Sequence, residues 1–197
     1  MAVVLVLSGV AAADPWQELY ELRFGAARKK VDASTSKADD AALAAEHVKE
    51  AGKFADKPEL GRIILEQACE LGLRSREGYG SAAKAVERLL KQFPDRRDAY
   101  LDLAIKVYQL QYQYAKAEEK SARGMKLVRT MVTRARRKAE ASDFRGAADL
   151  MGKACTVAAA VKSPGTDLHR AWRTYYLRRG ALESSGDASL RGLLVRH

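Results

Sequence analysis

Apolar residues recur at intervals of three and four positions along most of the chain, the spacing that places side chains on one face of an α-helix. One stretch shows the spacing clearly, with Leu60, Ile63, Ile64, Ala68 and Leu71. The long alternations of Val, Ile and Thr that indicate β-strands are missing from the sequence. The pattern therefore predicts an all-α protein.

Prolines, glycines and polar capping residues mark the ends of the predicted helices. Asp14 and Pro15 supply an N-cap and a first-turn proline. Ser36 and Asp39 resemble a capping box, and Asp95 and Asp98 resemble another cap. The predicted helices span about 14–30, 38–54, 56–72, 77–93, 95–114, 115–141, 142–162 and 166–182. Residues 115–141 contain no proline, so they form either one long helix or two helices joined near Gly124. We expect about seven to eight helices in the whole domain.

An aromatic residue followed by an alanine three positions later occurs three times in the chain. The pairs are Tyr79/Ala82, Tyr112/Ala115 and Phe144/Ala147. The alanines are 33 and then 32 residues apart, and a fixed period in this range is typical of stacked helical-hairpin repeats. A small side chain lets neighbouring helices approach closely, so we expect all three alanines to be buried. The spacing predicts an α-solenoid of antiparallel helix pairs.

These steps resemble the second helix of a tetratricopeptide repeat, although the first-helix signature of Trp, Leu-Gly and Tyr is absent. Residues 14–197 also resemble the tetratricopeptide-like helical domains of some exported bacterial proteins. The residues that carry this resemblance are Phe24, Gly25, Gly78, Tyr79, Ala82, Ala85 and Leu89. The resemblance implies a single helical-repeat domain and an exported protein, and it implies no particular activity. The apolar run at 193–195 suggests that the chain stops within the array.

The first 13 residues have the character of a signal peptide. They are apolar, too few to cross a membrane as a helix, and end in three alanines that suit a signal-peptide cleavage site. The usual basic N-terminal region is absent, and a buried N-terminal strand or helix is the alternative interpretation. We expect cleavage at or near Asp14, export to the periplasm or the extracellular space, and no transmembrane segment in the mature chain.

The positive charge is concentrated in the second half of the chain. Residues 1–98 contain 16 Lys and Arg and 16 Asp and Glu, whereas residues 99–197 contain 19 and 9, which accounts for the net charge of +10. This asymmetry favours an acidic partner, nucleic acid or an anionic surface. The alternative is that long basic side chains coat solvated helix faces while their stems cover apolar surface.

Two stretches of this half are candidate binding surfaces. The candidate residues are Arg123, Lys126, Arg134, Arg137, Arg170 and Arg173. The first four share one predicted helix face. We expect the charges of Arg134, Arg136 and Arg137 to lie on a solvated face and to add little to stability. The last two interleave with Trp172, Tyr175 and Tyr176, and aromatic residues beside arginine are able to stack nucleic-acid bases. The alternative is that Leu168, Trp172 and Tyr175 pack into the core.

No residue pattern supports a reaction, a cofactor or a metal site. His47, His169 and His197 are far apart in sequence and lack zinc-ligand spacing. Cys69 and Cys155 form no CxxC motif; they would either pair in an exported protein or remain free buried thiols.

The sequence therefore predicts a non-enzymatic module for protein–protein interaction or scaffolding outside the cytoplasm, with an unidentified and acidic partner. The alternative is a cytoplasmic nucleic-acid-binding helical protein that uses residues 99–197. An enzyme with a site assembled between helices is a third class, without residue support.

Overall fold

Eight α-helices make up most of the protein in the computed structural model, which describes residues 14–184. Helices account for 86% of these residues, and no strand occurs among them. The helices are α1 (Pro15–Asp32), α2 (Lys37–Glu50), α3 (Pro58–Gly72), α4 (Tyr79–Gln92), α5 (Arg97–Gln113), α6 (Ala117–Glu140), α7 (Phe144–Ala160) and α8 (Thr166–Ser184). The predicted fold class and helix number are thereby confirmed. The signal peptide predicted at 1–13 and the apolar run at 193–195 lie outside the described residues.

The helices form an array in which each one packs against the next along the chain. The connections are short, so that consecutive helices run antiparallel. The first half is more interlocked than the second, because α1 also packs on α3 and α2 on α4. Its core centres on α3, where Leu60, Ile64 and Leu65 are fully buried. A smaller apolar cluster around Met151 and Tyr176 joins α6, α7 and α8.

Local capping signals explain where several helices begin. The Asp14 carboxylate accepts a hydrogen bond from the Trp16 backbone N–H at 3.0 Å, directly before the first-turn proline of α1. The Asp143 carboxylate accepts one from the Gly146 N–H at 2.9 Å, at the start of α7. Each bond satisfies one of the backbone donors that a helix N-terminus leaves unpaired. None of the described helices is long and apolar enough to span a membrane.

Two predicted caps are wrong. Ser36 precedes α2 without capping it, and its neighbour Ser34 donates its hydroxyl to Asp39 instead. Asp95 lies inside a 3₁₀ turn, Pro94–Arg96, that continues directly into α5. Proline fixes its own φ near the helical value, so the tight turn starts at once and leaves no extended N-cap position for Asp95 to occupy.

Residues 117–140 form one uninterrupted helix, α6. Gly124 does not divide it, and instead allows it to lie very close to both neighbours. A Cβ atom at Gly124 would lie 2.5 Å from Val161 Cγ1 and 3.0 Å from Tyr112 Cε2. Both distances are shorter than ordinary van der Waals contact, so only glycine fits this crossing without a local shift.

The period of 33 and 32 residues does not mark equivalent positions in the array. Ala82 in α4 and Ala147 in α7 are fully buried, but Ala115 lies in the turn between α5 and α6 and is partly exposed. The prediction for Ala115 is therefore wrong. Moreover, α4 and α7 are three helices apart, whereas equivalent helices of a two-helix repeat are separated by an even number. The first and third copies agree because Tyr79 and Phe144 each begin a helix.

Replacing these alanines by leucine should separate the buried positions from the exposed one. We expect Ala82→Leu and Ala147→Leu each to lower the free energy of unfolding by about 1–3 kcal/mol, because a larger side chain overpacks a close helix contact. Ala115→Leu serves as the control and should unfold like the parent. Urea unfolding followed by circular dichroism measures all three variants. Equal stability of the parent and the Ala82 and Ala147 variants would contradict this packing.

Candidate functional site

An open groove follows one side of α6, between α5 and α7. It forms because α5 and α7 both pack along α6 and hardly touch each other. Its cavity volume is about 560 Å³. Apolar side chains form its floor and walls, namely Tyr112, Leu127, Met131 and Val157. Polar and charged side chains form its rim, namely Gln109, Gln113, Lys120, Lys153 and Thr156.

The two lysines on this rim have no acidic partner among the described residues. Lys120 Nζ lies 5.6 Å from the centre of the Tyr112 ring, and Lys153 is exposed on α7. Because neither lysine forms an ion pair in residues 14–184, both ammonium groups are available to pair with a ligand. The groove thus combines buried apolar surface with uncompensated positive charge.

Four of the predicted site residues contact residues of α4 and α5, namely Arg123, Lys126, Arg134 and Arg137. Arg134 donates two hydrogen bonds of 2.9 Å to the Asp102 carboxylate and lies 3.2 Å from Asp98. Arg137 also pairs with Asp98, and its hydrogen bond is the main reason why the pKa of that carboxyl lies below its ordinary value. The expectation that Arg134 lies on a solvated face is wrong, because only 13% of its side chain is exposed. The size of the effect on stability stays a prediction.

Arg123 and Lys126 occupy the same side of α6, nearer its N-terminus. Arg123 donates a hydrogen bond to the Gln111 side chain at 3.1 Å, and Lys126 pairs with Glu87 of α4. Lys126 Nζ also lies 4.6 Å from the centre of the Tyr108 ring. These contacts join α6 to α4 and α5. The basic face predicted on α6 therefore lies largely along its contact with these two helices, and we call this contact the seam.

Arg170 and Arg173 are brought together in a different place, at a cavity between α7 and α8. Its volume is about 460 Å³, and Gly152, Cys155 and Thr156 line its other wall. Arg170 pairs with Asp167 at 2.9 Å, on the exposed surface of α8. Arg173 has no ion-pair partner in the part of the chain that the structure describes. We call the cavity between α7 and α8 the arginine cavity.

The aromatic residues of α8 are divided between the core and the surface. Tyr176 is 3% exposed and packs in the cluster of α6, α7 and α8, whereas Leu168, Trp172 and Tyr175 are 59%, 36% and 45% exposed. The alternative that Leu168, Trp172 and Tyr175 pack into the core is therefore wrong. Tyr176 follows Tyr175 by one residue, or about 100° around the helix, so the side that faces α7 is not the side of Leu168 and Tyr175.

Three groups with strongly perturbed pKa values, Tyr20, His47 and Cys69, lie in the core and away from both cavities. Burial lowers the pKa of His47 to about 4 and raises that of Tyr20 to about 12, and the Tyr20 hydroxyl and His47 Nε2 are 2.9 Å apart. Burial also raises the pKa of the Cys69 thiol to about 12. Cys69 and Cys155 are both free, so they do not pair. Within residues 14–184, no cluster of His, Cys, Asp and Glu is arranged to hold a metal ion.

Sequence analysis located Arg170 and Arg173 but missed the groove. Lys120 and Lys153 counted only toward the general basic character of the second half. Their proximity depends on α5 and α7 meeting the same side of α6, which no short motif reports. Comparison with protein-family models, curated proteins and solved structures finds no match to this chain. The tetratricopeptide resemblance therefore stays a prediction.

Removing the charge of Arg134 should destabilise the protein, in contrast to its exposed neighbour Arg136. We expect Arg134→Gln to cost about 1–2 kcal/mol of unfolding free energy, between the values for exposed ion pairs and for hydrogen bonds to charged groups. Arg136→Gln should stay within about 0.5 kcal/mol of the parent, as surface substitutions usually do. Thermal unfolding at neutral pH measures both variants. Equal melting temperatures of Arg134→Gln and Arg136→Gln would contradict a stabilising role for the Arg134 ion pairs.

The pH dependence of the unfolding free energy also tests the contact, by comparison of Arg134→Gln with the parent. The pKa of Asp98 is lowered in the folded state, so its stabilisation is complete above the ordinary aspartate pKa of about 3.9 and is lost as the pH falls through the lowered value. The difference between Arg134→Gln and the parent should therefore shrink in strong acid.

Proposed function

We propose that this chain is a non-enzymatic module for protein–protein interaction or scaffolding outside the cytoplasm, and that it binds a segment of a partner protein in the groove of α5, α6 and α7. The observation that carries the proposal is the groove itself, an apolar concave surface with a polar rim. Such surfaces are typical of sites that bind other molecules.

The lining of the groove suits an extended polypeptide. Gln109 and Gln113 offer side-chain amides that both donate and accept hydrogen bonds, as the backbone of an extended segment requires. Tyr112 and Val157 offer apolar contact for its side chains. The unpaired charges of Lys120 and Lys153 favour an acidic partner, in agreement with the positive excess of residues 99–197.

The positions of the perturbed groups favour binding over catalysis. Catalytic groups tend to have shifted pKa values within a cleft. None of the described groups with a large pKa shift lines the groove. They are Tyr20, His47, Arg62, Cys69, Arg74, Tyr100 and Tyr108.

The proposed compartment rests on residues 1–13, outside the described part of the chain. Asp14 caps α1, so a chain that begins there retains all eight described helices. The free state of Cys69 and Cys155 argues neither for nor against export. A domain with a core of this size does not need a disulfide cross-link in either compartment.

One observation favours the alternative, a cytoplasmic nucleic-acid-binding protein. Trp172 and Tyr175 are exposed on α8 near Arg173, an arrangement that is able to stack bases. Against it, Arg134 and Arg137 are already paired with acidic residues of α5. The basic face of α6 is therefore not available as a continuous phosphate-binding surface, and we rank this alternative second.

Site-specific crosslinking in the native host tests the groove. We expect a photoreactive amino acid at Gln113 to give a discrete crosslinked protein, because this residue lies on the rim. The same amino acid at Glu46, which is exposed on α2, should not give that product. Lys153→Glu should weaken the product from Gln113, whereas Lys49→Glu, the same charge change on α2, should not. An absence of product from Gln113, or the same product from both positions, contradicts the proposal.

N-terminal sequencing tests the compartment and separates the two functions. Protein purified from its native host should begin at or near Asp14, because a signal peptidase cleaves directly after a small-residue site such as the three alanines before Asp14. An intact Met1 on protein from the cytoplasmic fraction would contradict export and favour the nucleic-acid-binding alternative.

A further inference from the structure

The groove and the arginine cavity meet on α7 at Thr156, which lines both. Lys153 and Val157 lie on the groove side of this helix, and Gly152 and Cys155 lie on the side of the arginine cavity. Thr156 therefore forms the crest between two concave surfaces that adjoin.

We propose that the two cavities form one track that binds a single extended acidic segment of a partner protein, with apolar side chains in the groove and carboxylates at Arg170 and Arg173. The inference rests on the proposed function and adds the order of chemical groups along the bound segment. It also gives a role to Arg170 and Arg173, which the groove alone does not use.

The charges along the track select a carboxylate. Arg173 has no ion-pair partner among the described residues, and its guanidinium lies against α7 where Gly152 has no side chain. A Cβ atom at Gly152 would be only 3.2 Å from Arg173 Nε. Among residues 14–184, no acidic side chain lines either cavity. A planar guanidinium with free donors binds a carboxylate through two parallel hydrogen bonds.

Arg170 is able to join Arg173 at little cost. Its present partner is Asp167, and the two side chains are 64% and 91% exposed. Exposed ion pairs of this kind contribute little free energy, so a ligand carboxylate replaces Asp167 readily. Lys153, on the other side of the crest, extends the positive potential into the groove.

The width of α7 sets the spacing of groups in the ligand. A helix is about 10 Å across, and an extended chain advances about 3.3 Å per residue. A segment that crosses α7 at Thr156 therefore needs about three residues between its apolar and its acidic groups. The Thr156 hydroxyl donates to the Gly152 carbonyl oxygen at 3.2 Å, which leaves its own oxygen to accept a backbone N–H from the crossing segment.

Fluorescence anisotropy with short labelled peptides tests this order. The probe is LFSTSEE, which places an apolar pair and an acidic pair three residues apart. The matched peptides are LFSTSQQ, which lacks the charge, and LFEESTS, which has the same composition without the spacing. We expect LFSTSEE to bind about tenfold more tightly than either, the equivalent of about 1.4 kcal/mol.

Two arginine variants on α8 locate the acidic end. Arg173→Gln should weaken LFSTSEE by about tenfold, as the loss of a charged hydrogen bond does, and leave LFSTSQQ unchanged. Arg178→Gln is the control, because Arg178 is exposed on the same helix and does not line the cavity. Circular dichroism and melting temperature verify that both variants remain folded.

The outcomes distinguish this inference from the proposed function. Equal effects of Arg173→Gln on the charged and neutral peptides, equal binding of LFSTSEE and LFEESTS, or no measurable binding of LFSTSEE would each overturn the single track. The groove proposal survives these results if Gln113 still crosslinks a partner. If Gln113 crosslinks nothing, the proposed function fails by itself.

Discussion

The packing of α6 between α5 and α7 determines the form of the second half of the molecule. One side of α6 is tied to α5 by Arg134, which bridges Asp98 and Asp102. Another side packs on α7 through Met131 and Ala135. Because α5 and α7 are held apart by the helix between them, a third side of α6 stays open to solvent. The groove is therefore a consequence of how one long helix shares its surface.

Ion pairs between α6 and the preceding helices also change how the net charge of the second half should be interpreted. A count of Lys and Arg in residues 99–197 suggests a uniformly basic surface, but acidic residues of α4 and α5 neutralise much of α6 from the neighbouring side. At the two cavities the lysines and arginine without an ion pair among the described residues are Lys120, Lys153 and Arg173. The proposal of an acidic partner rests on these positions and the apolar surface between them more than on the overall charge.

The parts of the structure that were predictable are those encoded locally. Apolar spacing identified the helices, and Asp14 identified the start of α1, because a cap acts within three residues of its own position. The groove was not predictable in this way. Tyr112, Lys120 and Lys153 come together only through tertiary packing.

The spacing of 33 and 32 residues between the aromatic and alanine pairs was a misleading indication of the tertiary structure. Two helix starts, at Tyr79 and Phe144, produced most of the regularity. The turn at Ala115 supplied the middle copy by its spacing alone. Spacing in sequence identifies a repeat only when the helices that carry it occupy equivalent places, and helix order was not visible before the structure.

The shallow anchoring of α8 has a thermodynamic consequence. Tyr176 is its one buried residue among those described, and α7 is the helix on which it packs. Such a helix opens locally at a lower free energy than the whole domain, so its amide hydrogens should exchange faster than those of α3. The arginine cavity exists only while α8 is docked. Any ligand that needs this cavity binds the docked fraction alone, so its apparent affinity is scaled by that fraction, and its binding in turn holds α8 in place.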